Sequence, residues 1–180
     1  MTSRFYSMVV ALMLVVSSAM TAQAQPPSFV DLGVIGNPGT FIFNTDNSLF
    51  ADGVTTIDTE LGLFDSDGIL LDSDDDGSTG LFSEITFDAP AGEYFLAISE
   101  FDSVFADGFQ NTGTQFEAGE SGTAVLNING VEAGSQVIGN PDTGNDSTGF
   151  FRVEVVAVPE PGSALVLLFG GFFFVRRRSL

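Results

Sequence analysis

Between residues 28 and 158, apolar and polar positions alternate in short runs, broken at close intervals by Gly, Asp or Asn. In Glu93-Tyr94-Phe95-Leu96-Ala97-Ile98-Ser99, the side chains of Tyr94, Leu96 and Ile98 fall on one face; Leu81, Ser83, Ile85 and Phe87 repeat the same period of two. That period belongs to extended chain, because successive side chains on a strand point to opposite faces. Strands are predicted over 29–35, 40–44, 55–64, 68–71, 81–87, 93–100, 123–128, 135–138 and 150–158. Asp67-Gly68, Asp76-Gly77, Ala91-Gly92, Asp107-Gly108 and Asn129-Gly130 mark turns between or beside them. No stretch outside the termini has a useful helical period. Many short strands at this spacing predict an all-β fold, a two-sheet sandwich or jelly roll, over residues 25–158. The 19 Phe are expected to pack the core and the C-terminal tail rather than to form a binding stripe.

The ends follow a different pattern. Arg4 precedes an apolar run, MVVALMLVV, and Ala22-Gln23-Ala24 places small residues at −3 and −1 of a cleavage point after Ala24. Residues 1–24 therefore read as a secretory signal peptide. At the other end, Val158-Pro159-Glu160-Pro161 leads into GSALVLLFGGFFFV (162–175), and Arg176, Arg177 and Arg178 follow. Pro159 and Pro161 cannot donate strand hydrogen bonds, so the last strand is expected to end before them. Fourteen residues of helix reach about 21 Å, short of the roughly 30 Å of a bilayer's hydrocarbon. Snorkelling Arg side chains and local thinning can make up part of the difference. The basic cluster is expected to stay on the cytoplasmic side, with the acidic domain outside.

Motif, apolar run and basic cluster, in that order, resemble the PEP-CTERM sorting signal of Gram-negative bacteria. The resemblance covers residues 158–180 and implies processing near Pro159-Glu160-Pro161 by an exosortase, a membrane-embedded protease. It also implies a precursor tethered to the inner membrane and a mature protein at the cell surface or in an extracellular, biofilm matrix. The apolar run is shorter than stable spanning requires.

Charge and missing residue types narrow the chemistry further. The chain has no His, Cys, Lys or Trp, and its formal net charge is −19. From Gln25 to Pro161, 24 acids against the single Arg152 leave −23. Such a surface repels nucleic acid and anionic membranes and attracts divalent cations. Without His or Cys there is no imidazole base, no Ser-His or Cys-His nucleophile and no ordinary zinc site. A pair of carboxylates could still hydrolyse glycosides, but sugar platforms are poor, with only Tyr6 and Tyr94 beside the Phe. The expectation is a protein that is not an enzyme. Arg152 is expected to pair with a carboxylate near it on the last strand.

Residues 60–98 carry a second resemblance. A strand, the hairpin around Phe64-Asp65-Ser66-Asp67-Gly68, an acidic loop and the strand Ala89-Pro90-Ala91-Gly92-Glu93-Tyr94-Phe95-Leu96-Ala97-Ile98 are similar to the bacterial pre-peptidase C-terminal domains. That family implies a non-catalytic β-sandwich module of a secreted protein.

Within it, Asp72-Ser73-Asp74-Asp75-Asp76-Gly77 fits the opening of a calcium loop, with alternate carboxylates at Asp72, Asp74 and Asp76 and a Gly for the sharp turn. Asp65 and Asp67 are expected nearby if the hairpin folds back. The flanks read as strands, so this is no EF-hand, and Asp and Gly also favour plain solvated turns. The acidic turn at 142–146 is expected to be such a loop. The expected role is an exported structural or interaction module, stiffened by calcium. The alternative is a calcium-dependent module for the cell's own exopolysaccharide.

Overall fold

The computed structural model describes Gln25 and residues 27–113, 116–140 and 147–157. The expected signal peptide, the acidic turn at 142–146, Pro159, Glu160, Pro161, the apolar run and Arg176, Arg177 and Arg178 lie outside these residues. Among those described, no helix is long and apolar enough to cross a membrane.

The described residues form an all-β, sandwich-like fold. Its strands are β1 (Val30–Gly36), β2 (Gly39–Asn44), β3 (Leu49–Phe50), β4 (Thr59–Asp65), β5 (Leu70–Asp74), β6 (Glu84–Ala89), β7 (Gly92–Glu100), β8 (Ser103–Ala106), β9 (Gln110–Gly113), β10 (Ser121–Ile128), β11 (Val131–Gly139) and β12 (Thr148–Val155). One sheet has the order β1-β12-β7-β4-β5, with β1 and β12 parallel and the other neighbours antiparallel. The second runs β11-β10-β2-β6, and β3 adds to β10 beside β2. β8 and β9 form a separate two-stranded hairpin.

The main core lies between the two sheets. Leu61 and Leu63 of β4, Tyr94, Leu96 and Ile98 of β7, and Phe151, Val153 and Val155 of β12 meet Phe41 and Phe43 of β2, Ile85 of β6 and Leu126 of β10. These are alternate residues of each strand, as a half-buried sheet demands. Residues Tyr94 to Glu100, however, are buried without interruption. The intervening side chains Phe95 and Ala97 point away from the main core into a second cluster with Phe64, Phe105, Phe109 and Phe150. The β8–β9 hairpin supplies Phe105 and Phe109, so it lies as a plate over the outer face of the first sheet.

Several elements depart from expectation. The strand expected at 55–64 starts only at Thr59, because Asp52 folds the preceding chain into a turn by accepting N–H bonds from Val54 and Thr55, both 2.8 Å. The strand expected at 68–71 is displaced to Leu70–Asp74, since backbone pairing with β4 carries it into the acidic run up to Asp74 opposite Leu61. Strand β6 begins at Glu84 rather than at 81, and β12 begins at Thr148. Strands β3, β8 and β9 were not expected: two or four residues are too few to show a period.

Candidate functional site

The hairpin plate is pinned at each end. At its tip, Gly108 N–H donates to Gly68 O (2.7 Å) and Leu70 N–H donates to Asp107 Oδ1 (2.9 Å), tying it to the β4–β5 turn. At its base, Ser103 N–H donates to Glu60 Oε1 at 3.0 Å. Phe105 rests on Gly62, where an added Cβ would lie 2.8 Å from the ring. Phe109 holds φ of 58° in the turn, a costly backbone for a bulky residue. Its ring lies 5.4 Å from Phe64 and 5.1 Å from Phe95, and that burial offsets the strain.

A cleft runs along each flank of this plate. On the β8 side, a shallow opening of about 250 Å³ is lined by Glu60, Ser73, Asp74, Asp75, Ser103, Val104 and Phe105. Beside it, carboxylate oxygens of Asp58, Asp75 and Asp76 all lie within 4.8 Å of one another. Three elements build this acidic corner: the chain entering β4 brings Asp58, β4 itself brings Glu60, and the chain leaving β5 brings Asp75 and Asp76.

The electrostatics of the corner are uncompensated. Burial, then repulsion from Asp76 and Asp75, pushes the Asp58 carboxyl above the usual range, and its Oδ1 is sealed from solvent without a hydrogen-bond partner. Burial and the neighbouring Asp76 and Asp74 push Asp75 the same way. Glu60 rises to about 7 through burial and Asp75, despite the N–H bonds it accepts from Ser103 and Asp102. Glu100, only 7% exposed, also rises to about 7, through burial first and then Glu120, Asp58 and Glu117; its Oε2 has no partner. Desolvation of charge outweighs the favourable bonds at these sites.

Of the five expected calcium ligands, the structure brings only Asp76 into the convergent group. Asp74 borders the cleft, but its Oδ2 accepts N–H bonds from Gly77 (2.7 Å) and Glu84 (2.8 Å), tying the end of β5 to β6. Asp65 Oδ1 accepts N–H bonds from Asp67 and Ile69, both 2.9 Å, and so shapes the β4–β5 turn. Asp72 lies within β5, where its Oδ1 accepts from Ser73 N–H at 2.9 Å. Asp67 sits in that turn too. Asp58 and Asp75 went unrecognised. Asp75 stood at a non-alternating place in the acidic run, and Asp58 lies 17 positions before Asp75, inside a segment read as strand. The signal that could have found Asp58 is a lone acid just before an apolar strand that pairs back on the acidic run.

On the opposite flank, beside β9, a cleft of about 390 Å³ is lined by Pro27, Ser28, Phe109, Asn111, Ser147, Thr148 and Phe150. None of these residues carries charge. Arg152 takes no part in either cleft. It bridges three strands, bonding Glu93 Oε2 at 2.6 Å and Asp31 Oδ1 at 2.8 Å, with Glu154 of its own strand at 3.8 Å. The expected partner on the last strand is therefore the most distant of the three.

Comparison with protein-family models, with curated proteins and with solved structures finds no match.

Proposed function

We propose that this is an exported, non-catalytic β-sandwich module of the bacterial cell surface or matrix, stabilised by calcium at Asp58, Asp75 and Asp76. The observation that carries the calcium reading is the convergence of those three carboxylates, at a corner where one Asp58 oxygen is sealed from solvent without a hydrogen-bond partner. Two oxygens bound to one calcium at about 2.4 Å can be no more than about 4.8 Å apart, so this set is compact enough to share one ion. Three carboxylates offer three to six of the six to eight oxygens that calcium takes, and water or backbone carbonyls complete the shell. A bound cation would relieve the repulsion that raises Asp58 and Asp75.

Export rests on the sequence at the two ends. Residues 1–24 act as the signal peptide, and Pro159-Glu160-Pro161, the apolar run and Arg176–Arg178 act as an exosortase-processed tail that holds the precursor in the inner membrane. The lack of His and Cys supports a non-catalytic role, since the side chains of the common nucleophile–base pairs are missing.

Calorimetry tests the calcium half. Calcium at 100-fold its Kd adds about 2.7 kcal/mol by mass action, which raises the melting temperature, and Asp58→Asn removes the rise. An unchanged melting temperature at millimolar calcium would overturn that half. Mass spectrometry of the protein recovered from its native host tests the other, with a mature form starting at Gln25 and ending near Pro159 as the expected product. A fully exported chain that still ends at Leu180 would defeat the processing claim.

A further inference from the structure

Strand β1 is held less firmly than the strands beside it. It borders β12 at one edge of the first sheet, and theirs is the one parallel pair among the described strands. Parallel pairing is the slightly weaker kind, and here the register slips twice, between Asp31 and Val34 and between Val34 and Gly36. Every residue of β1 keeps some exposure, whereas β7 and β12 bury most of theirs. Val30, Leu32 and Ile35 pack against the main core as partly buried groups. Withdrawing β1 therefore gives up less apolar burial than withdrawing β7 or β12 would.

The link from β1 to the next strand is short and bent. β1 ends in the first sheet at Gly36 and β2 begins in the second at Gly39, so Asn37 and Pro38 alone carry the chain across, bending at both. Gly36 holds φ of 153°, a backbone that residues with a side chain rarely adopt, and the Phe41 ring lies 3.5 Å from where its Cβ would stand. Pro38 biases Asn37 toward extended backbone and fixes its own φ near the polyproline value. The local sequence thus favours a straight link, and the docking of β1 on β12 bends it. A short hinge held bent in this way favours exchange of the arm between two copies: straightening releases the bend, and the arm recovers the same contacts on the other copy.

The seat of β1 is specific. Asp31 Oδ1 meets Arg152 at 2.8 Å, and Gly36 O accepts from Val156 N–H at 3.0 Å. Leu32 lies over Gly134 of β11, where an added Cβ would be 2.8 Å from its Cδ2. Two such acidic bodies repel each other, which opposes a broad new interface; exchange needs none, since each chain already makes these contacts with itself.

We propose that β1 exchanges between two copies of this chain, each β1 seated on the other copy's β12 with the Asn37-Pro38 link straightened, to give a closed two-fold dimer. The exchange involves neither the acidic corner nor the C-terminal tail, so it stands independently of the calcium and processing readings.

Disulfide trapping in the full chain tests it. The protein has no Cys, so Val34→Cys with Glu154→Cys supplies a single thiol pair at facing positions of β1 and β12, where adjacent strands bring Cα atoms within disulfide range. The double variant is incubated at low and at high protein concentration in mild denaturant, returned to buffer, diluted, oxidised and run on a denaturing gel without reductant. A disulfide closed within one chain reports the unexchanged fold, and a covalent dimer that neither single variant gives reports exchange. The dimer should grow with protein concentration. Inserting Gly-Gly-Ser between Asn37 and Pro38 keeps every strand, lets the link turn back without strain and should abolish the dimer, while the internal disulfide shows that this chain folds. An internal disulfide alone at every concentration overturns the proposal. So does a covalent dimer as abundant in the lengthened chain as in its parent, or one that a single variant forms equally well.

Discussion

The two clefts that flank the β8–β9 hairpin rest on the same phenylalanine plate and differ in what desolvation does to them. On the β8 side, acids from the open end of the β4–β5 hairpin are gathered where water is partly excluded, and Asp58, Glu60 and Asp75 all hold their protons more tightly than free carboxyls do. On the β9 side, partial burial falls on an amide and hydroxyls that have satisfied most of their needs from one another. One flank thus carries a charge problem that a bound cation would relieve. The other, among the described residues, carries polar groups that largely satisfy one another. A single structural element, the hairpin, makes both by covering a sheet face that would otherwise be wet.

Removing the shared plate gives the largest effect. Phe109→Ala takes out the ring that touches Phe64, Phe95 and Phe150, and it should cost about 3–5 kcal/mol in denaturant unfolding. The calcium-dependent rise in melting temperature should fall with it; survival of that rise would show that the plate does not build the acidic cleft. Gly62→Val acts on the β8 flank. The new side chain strikes the Phe105 ring there, at a cost of about 1–3 kcal/mol, and the calcium-dependent rise in melting temperature should shrink.

Acidity distinguishes the flanks without mutation. Glu60 and Glu100 titrate near 7 in the folded chain against an ordinary value of 4.5, so the folded state binds their protons more tightly than the unfolded one. Their contribution is therefore fully present below about pH 4.5 and is lost as pH rises through about 7. Thermal melts in chelator should fall by some degrees across that window, and Glu100→Gln should flatten the decline. A melting temperature that climbs over the same window would reverse the assignment. None of the described residues that line the β9 cleft titrates in this window.

The smallest effect is also the most specific. In chelator, Asp75→Asn should stabilise the fold by about 0.5 kcal/mol, since it relieves repulsion at an exposed, screened position. In calcium the same substitution should abolish the metal's stabilisation. A loss of stability in chelator would mean that Asp75 holds the fold through some other contact.

Much of the main sheets was legible. The alternation at Tyr94, Leu96 and Ile98 put β7 on the main core, and Asn129-Gly130 closed the β10–β11 hairpin, with Ile128 opposite Val131 and both turn residues at positive φ. The β8–β9 hairpin was not legible. Ser103–Gly113 carries polar and aromatic residues in no strict order, and only the docking of Phe105 and Phe109 on the first sheet gives them meaning. The acidic run suggested convergence of Asp72, Asp74 and Asp76, whereas the structure gathers Asp75 and Asp76 with Asp58. Turn chemistry used Asp65 and Asp74 for backbone N–H groups, and strand pairing extended to Asp74.

The amino-acid order by itself determined most strands of the two main sheets, the turns that join several of them, the charge and the lack of imidazole and thiol side chains, because each depends on local backbone preference or on composition alone. Which acids meet, which sheet face is covered and which polar groups satisfy one another depended on strands distant in the chain coming together. Convergence of Asp58 with Asp75 and Asp76, or of Asn111 with Thr148, is a property of sheet order and hairpin docking, and spacing along the chain carries no record of it.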